Sequence, residues 1–182
     1  MRLTTPRLQV RTLEPEDAAA VYAYRSDAVL MRYQLWEPRD VDEVRAFIAE
    51  LREAALGATA PGAAGTWHQL AITLRATGEL IGDVGLHFMP GAGRQVELGI
   101  TLAGAHHGQG YAAEALRAVI AHLAAEMGIQ QVCARVDARN TASRRLMERL
   151  GLREDPAQRE RVWAKGEWCE DVVYSGSGEQ AG

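Results

Sequence analysis

Cysteine is scarce in this chain of 182 residues, which holds only Cys133 and Cys169. They lie too far apart for a zinc knuckle or a redox pair, so neither metal nor disulfide chemistry is indicated and both are expected to be packed thiols. Long hydrophobic runs are missing as well. No stretch approaches the roughly 18 uninterrupted apolar residues of a membrane span, and the start MRLTTPRLQV has no apolar run of signal-peptide length. The expectation is a cytoplasmic protein with no membrane partner. Positive charge is short too: 20 Lys and Arg stand against 24 Asp and Glu, giving a net charge of -4 and a pI near 5.8. That balance argues against a nucleic-acid binder working by bulk electrostatics, and suits a cationic ligand slightly better.

Hydrophobic residues make up 47% and charged residues 24%, the composition of an ordinary globular protein. At this length one domain can bury a core and house a pocket without staples. That domain is expected over residues 1–175. Residues 176–182, polar and glycine-rich, have nothing to pack and are expected to be a disordered tail.

The stretch from Arg94 to Met127 organises the rest. Val96, Leu98, Ile100 and Leu102 alternate with Gln95, Glu97, Gly99 and Thr101, which predicts a strand. Tyr111, Ala115, Leu116, Val119, Ile120, Leu123 and Met127 recur at three- and four-residue spacing, which predicts a helix with one apolar stripe against a sheet. Between them lies His107-Gly108-Gln109-Gly110-Tyr111-Ala112. Glycines so spaced at a helix start allow backbone conformations that a Cβ penalises and leave amides pointing outward, beside the positive end of the helix dipole. Such a turn can hold a phosphate or pyrophosphate. It can equally be no more than a tight strand-to-helix connection.

Around that centre, Arg7 to Leu13 alternates as a first strand, and Glu14-Pro15-Glu16-Asp17 starts a short helix through Tyr24. Asp27 to Arg39 is irregular, with Tyr33, Trp36 and Glu37 as a candidate pocket wall. Asp40-Val41-Asp42-Glu43 has the form of a capping box before a helix to about Leu56, and Gly57 to Thr66 is a loop. Trp67 to Leu74 and Glu79 to Phe88 predict an antiparallel hairpin turned by Arg75-Ala76-Thr77-Gly78. After the long helix, Ile129 to Val136 is a strand, Asn140 caps a helix closed by Gly151, and a hairpin around Lys165-Gly166 ends the fold.

Three pieces carry a resemblance that spans nearly the whole chain: Thr5-Pro6-Arg7-Leu8-Gln9-Val10-Arg11, the turn Gly108-Gln109-Gly110-Tyr111-Ala112-Ala113-Glu114-Ala115, and the segment from Asn140 to Gly151, NTASRRLMERLG. In that order, with these intervening elements, the chain resembles the GNAT superfamily of N-acetyltransferases, in the branch of the RimJ/RimL ribosomal-protein N-terminal acetyltransferases. The resemblance implies an α+β fold with a mixed, mostly antiparallel sheet of about seven strands flanked by about four helices. It implies acetyl-CoA as co-substrate, no metal, an amine acceptor, and a monomer or homodimer. Two departures stand out. His107 occupies a place where the superfamily's turn has Gln or Arg, and Met147 stands where many members carry a tyrosine that protonates the leaving thiolate.

The resemblance further implies that the pantetheine arm pairs with Leu98, Gly99 and Ile100, that the pyrophosphate rests on His107, Gly108, Gln109, Gly110, Tyr111 and Ala112, and that Asn140 and Ser143 face the thioester. Ser143 takes the acid role in place of the missing tyrosine. On residue type alone, Asn140 is a plain helix cap and Ser143 an indifferent first-turn residue. Glu97, on the polar face of its strand, is the first candidate for the base that neutralises the amine; Asp83, Glu160 and Glu170 compete with it. His106 and His107 are read as packing or phosphate contacts. Trp36, Glu37, the loop 57–66 and the hairpin around Lys165 are expected to shape the acceptor pocket, whose residue types fit a protein N-terminus, an aminoglycoside, a polyamine or an amino-acid amine.

Two rival readings remain at this point. Gly108-x-Gly110-x-x-Ala113 satisfies the dinucleotide pattern of an NAD(P)-dependent oxidoreductase, with Asp137 as the ribose ligand, although Ala103 to His107 separate its glycines from their strand. The lack of a tyrosine acid also admits a non-catalytic module that binds or senses acyl-CoA.

Overall fold

The computed structural model describes residues 1–34, 36–57, 63, 65–90 and 94–178. Its frame is one eight-stranded sheet in the order β1-β2-β3-β4-β5-β6-β8-β7. The strands are β1 (Arg2–Thr4), β2 (Leu8–Thr12), β3 (Trp67–Leu74), β4 (Leu80–Phe88), β5 (Gln95–Leu102), β6 (Gln131–Asp137), β7 (Arg153–Ala164) and β8 (Glu167–Ser177). Every neighbouring pair is antiparallel except β5 and β6, which run parallel. That parallel pair requires a crossover, and α4 (Tyr111–Met127) supplies it.

The helices divide between the two faces. On one face α4 buries Ala115, Leu116, Val119, Ile120 and Leu123 against Leu8, Val10, Val84, Leu86, Val96 and Leu98, and α5 (Thr141–Arg149) adds Met147. On the other, α1 (Ala18–Arg25) and α3 (Val41–Gly57) pack Val21, Tyr24, Val44 and Ile48 over Ala71 of β3, with the short α2 (Ala28–Met31) beyond them. Burying each such aliphatic side chain stabilises the fold by about 1.5–3 kcal/mol before chain entropy is counted. The period-two alternation of β5 therefore sorts its residues by partner: Val96 and Leu98 meet α4, while Glu97, Gly99 and Thr101 look to the α1/α3 side.

The expected elements are present with three differences. The sheet has eight strands because Arg2–Thr4, too short for a periodic signal, pairs with β2 through the register Leu3↔Val10. The irregular stretch after Asp27 holds α2, whose first amides are capped by the Asp27 carboxylate accepting from Val29 N–H at 2.8 Å. The last strand continues through Ser177, and Gly178 N–H donates to Gln130 O at 3.0 Å, so the sheet extends past residue 175. Most of the loop 57–66 and residues 179–182 lie outside the described residues.

Candidate active site

The sheet opens where its parallel pair ends. β5 and β6 are in register only at Gln95↔Gln131, Val96↔Val132 and Glu97↔Cys133. Beyond Glu97, β5 continues to Leu102 on the β4 side and β6 continues to Asp137 on the β8 side, with no pairing between them. Leu98, Gly99 and Ile100 thus border a wedge whose backbone edge has no strand partner, a place for an extended ligand to add as a strand would. A Cβ built on Gly99 would meet nothing within 4 Å, so the α1/α3 side of the wedge is open there.

The path leaves β5 through a 3₁₀ turn, Gly104–His106, and reaches the glycine turn at the start of α4. Gly108 and Gly110 have φ of +74° and +82°, and Gly110 is the left-handed N-cap of α4. An L-residue is disfavoured there, which is the local reason for both glycines. Glu114 N–H, donating to Gly110 O at 3.1 Å, makes the first turn's bond, and the amides of Gly108 to Ala112 have no backbone partner among the described residues. Unsatisfied amides at the positive end of a 17-residue helix are an arrangement that could hold an anion.

Side chains hold this turn from below. His107 Nε2 lies 2.8 Å from Leu102 O, tying the turn to the end of β5, and Gln109 Nε2 donates to Ala105 O at 3.0 Å. Arg7 was not singled out as a site residue, yet it makes the most contacts here. Its Nη1 donates to Gln109 O at 3.0 Å, its Nε to Glu114 Oε2 at 2.6 Å, and its guanidinium lies 4.3 Å over the Tyr111 ring. Thr5 Oγ1 and Arg7 N–H also donate to Glu114, at 2.6 and 3.0 Å. Burial acts to raise the Glu114 carboxyl, but these donors outweigh it and hold it below the usual range. The only signal for Arg7 in the sequence was its place in the entry segment.

At the other side of the wedge, Asn140 Oδ1 accepts from Ser143 N–H at 3.1 Å, so Asn140 is the N-cap of α5 and holds the residue proposed as the acid. Met147 is buried in the core and offers no proton.

The candidate bases fare differently. Glu97 lies 3.7 Å from Arg135 and 3.9 Å from His87. Asp83 is 1% exposed and is held by Arg25 Nη2 at 2.7 Å, by Tyr24 Oη and by Gln69 Nε2; burial and Asp83 together push the Tyr24 phenol far up. Asp83 is therefore a buried structural ion pair, shut from the wedge. Glu160 bonds Arg135 at 3.1 Å. Glu170 bonds Arg159 at 3.1 Å and alternates onto the face of Val172 and Tyr174, away from Glu97. Asp137, the ribose candidate of the dinucleotide reading, is clamped by Arg139, whose hydrogen bonds lower its carboxyl against a smaller effect of burial.

Two of the segments expected to shape an acceptor pocket touch, the hairpin around Lys165 and the stretch holding Glu37. Lys165, at the β7–β8 turn with φ +52°, reaches Met31 O and the Glu37 carboxylate through Nζ, joining the hairpin tip to the segment after α2. Trp36 leans on Phe47 at 4.4 Å and carries the Arg25 guanidinium 5.1 Å from its ring. A cavity of about 390 Å³ lies elsewhere, between α3 and β3, lined by Thr12, Leu13, Ile48, Leu51, Arg52, His68 and Gln69. Among the described residues no group of His, Cys, Asp and Glu could hold a metal, and no helix is long and apolar enough to cross a membrane.

Comparison with known proteins bears on the family and the fold. The profile of the acetyltransferase (GNAT) domain matches residues 7–153. The chain is 28% identical to the uncharacterized N-acetyltransferase p20 of Bacillus licheniformis, over 95% of this chain and 94% of that one. Its structure superposes on a GNAT-family acetyltransferase of Bacillus anthracis with a TM-score of 0.81 and 25% identity, covering 98% and 99% of the two chains. It shares its fold with Mycobacterium smegmatis RimJ in complex with CoA-disulfide, with a TM-score of 0.82 at 21% identity, covering 99% of this chain and 87% of that one.

Proposed function

Since the chain belongs to the GNAT acetyltransferase family, we propose that it moves an acetyl group from acetyl-CoA to a primary amine by direct attack of the amine on the thioester. The observation that carries this reading is the wedge left where β5 parts from β6 after Glu97, opening at the same end of β5 as the unpartnered amides of Gly108 to Ala112. One element, β5, thus joins a groove for an extended arm to a cradle for a pyrophosphate.

In this reading Leu98, Gly99 and Ile100 pair with the pantetheine arm, Gly108 to Ala112 hold the pyrophosphate, and a backbone N–H of the parted strand polarises the thioester carbonyl. Ser143, positioned by Asn140, hands a proton to the departing sulfur. Family membership sets the oxidoreductase aside. The non-catalytic reading differs from the transferase in one measurable respect. Purified protein is expected to bind acetyl-CoA, and to release CoA thiol when supplied with at least one amine from a panel of spermidine, an aminoglycoside, an amino-acid amide and short peptides with free N-termini. Binding without turnover on every acceptor would favour the module.

A further inference from the structure

An amine reaches the thioester as an ammonium and must lose a proton before it can attack, so the site needs a basic group beside the wedge that is not already committed. Each carboxylate weighed above as the base has an arginine ion-paired beside it. One further carboxylate on the same face has none.

β6, β8 and β7 place Asp137, Asp171 and Glu160 in one row: Asp137↔Asp171 and Glu160↔Asp171 are register partners. Because paired residues share a face, the row lies on the side of Glu97, Cys133 and Arg135, at the end of β6 that β5 has left. Like charges directly opposite on neighbouring strands destabilise a sheet, so such a row calls for compensation. The outer two members have it: Arg139 binds Asp137 at 2.7 Å and Arg135 binds Glu160 at 3.1 Å. Asp171, between them and half-buried, accepts no hydrogen bond from a described residue. Val172 and Tyr174, the first and third residues after it, point into the α4/α5 core, so by strand alternation the Asp171 side chain points to the opposite face. The charged groups facing it are Asp137 and Arg135 from β6, Glu160 from β7 and Glu97 from β5. Burial, then Asp137 and Glu160, hold its carboxyl above the ordinary range; Arg135 opposes them and Glu97 adds to them.

We propose that Asp171 is the proton acceptor of the transfer. This rests on the transferase reading above. The Asp171 carboxylate takes one proton from the ammonium, and the freed lone pair forms the C–N bond at the thioester carbonyl carbon. The C–S bond then breaks with its electron pair on sulfur, the Ser143 hydroxyl gives its proton to that sulfur as CoA thiol and regains one, the second proton of the nitrogen, and Asp171 returns its proton to solvent. Glu97 and Arg135 are left as a pair that orders the wedge, and Asp137 as the partner that fixes Arg139.

The test is Asp171→Asn beside Asp171→Glu, read by thiol release with acetyl-CoA and whichever amine of the panel the wild type accepts, by acetyl-CoA titration, and by thermal unfolding across pH. A positioned base contributes about 10²–10⁴-fold, so turnover of Asp171→Asn is expected to fall by that order while the acetyl-CoA dissociation constant stays within about twofold. Its residual turnover should climb with pH as the free amine deprotonates in solution, and Asp171→Glu should recover part of the loss. The folded protein raises this carboxyl's proton affinity, so wild-type stability is fullest below the unfolded carboxylate range and declines as pH rises through the raised value. Asp171→Asn should therefore unfold at a higher temperature than wild type at pH 7, with the gain vanishing at acid pH. Wild-type turnover in Asp171→Asn overturns the assignment alone, and so does a loss of turnover accompanied by a lower unfolding temperature, which would mark a structural role. A wild type that turns over no amine overturns the transferase reading and the assignment with it, even if the stability gain is present.

Discussion

Arg7 and Gln109 lie 102 residues apart in the chain, and Arg7 Nη1 donates to the Gln109 carbonyl at 3.0 Å. The bond turns that carbonyl towards the arginine, so the oxygen has a donor of its own within the turn. The same guanidinium pairs with Glu114, an acidic first-turn residue that favours the helix dipole but would repel a phosphate. One side chain therefore shapes the cradle and neutralises the charge beneath it.

Arg7→Ala is expected to weaken CoA binding roughly tenfold, the order of one lost hydrogen bond to a charged group. The Arg7 side chain is 45% exposed, so the change in unfolding temperature should be small. Arg7→Lys keeps the charge but not the fork, and should fall between the two. Isothermal titration with CoA on the three proteins checks this; equal affinities would remove Arg7 from the cradle.

Gly110→Ala sets a Cβ in a backbone with φ +82°, where its nearest neighbour would be Arg7 Nη2 at 3.5 Å, an ordinary contact. Sterics inside the fold are thus minor, and the left-handed backbone itself costs about 1–2 kcal/mol. Relief of that strain would rotate the amides of the cradle. CoA affinity is expected to drop more than stability does, and a variant with lowered stability but wild-type CoA affinity would show that the turn is only a connection.

Much of this was legible in the sequence. The period-two pattern of β5 and the helical stripe of α4 read out the frame, and Gly108 and Gly110 marked the turn, because each of these is a local constraint written in consecutive residues. Asp83 and Asp171 were not separable that way. Both are acidic residues in alternating strands, and only the packing of α1, which brings Arg25 to Asp83 but nothing to Asp171, makes one a buried ion pair and leaves the other without a hydrogen-bonded cation. β1 and α2 escaped for a simpler reason: three and four residues are too few to show a period.

Ser143 is held by its own amide through the Asn140 cap, and its hydroxyl has no hydrogen-bond partner among the described residues. Ser143→Ala is expected to cut turnover about 10- to 100-fold, the low end of general-acid effects, with little change in CoA affinity. Asn140→Ala should cost about 1 kcal/mol of stability as a lost cap and lower turnover as well. Steady-state kinetics beside CoA titration separates the two, and unchanged turnover in Ser143→Ala would take the serine out of the mechanism.

The Arg25–Asp83 pair supplies the contrasting case to the β8 carboxylate that accepts no hydrogen bond. Arg25 and Asp83 have side chains 8% and 2% exposed, and Tyr24 and Gln69 complete the carboxylate's shell. Arg25 Nε is nonetheless buried without a hydrogen-bond partner, so the network is already short of one bond and has no reserve. Removing one partner of such a pair strands the other charge, at a cost of about 3–5 kcal/mol. Asp83→Ala is therefore expected to unfold at a markedly lower temperature or fail to fold, whereas Tyr24→Phe, which deletes one donor and leaves the ion pair, should lose only about 1 kcal/mol and keep its activity. If Asp83→Ala instead kept wild-type stability and lost only turnover, Asp83 would return as a base candidate, and the assignment of this carboxylate to the α1–β4 contact would be wrong.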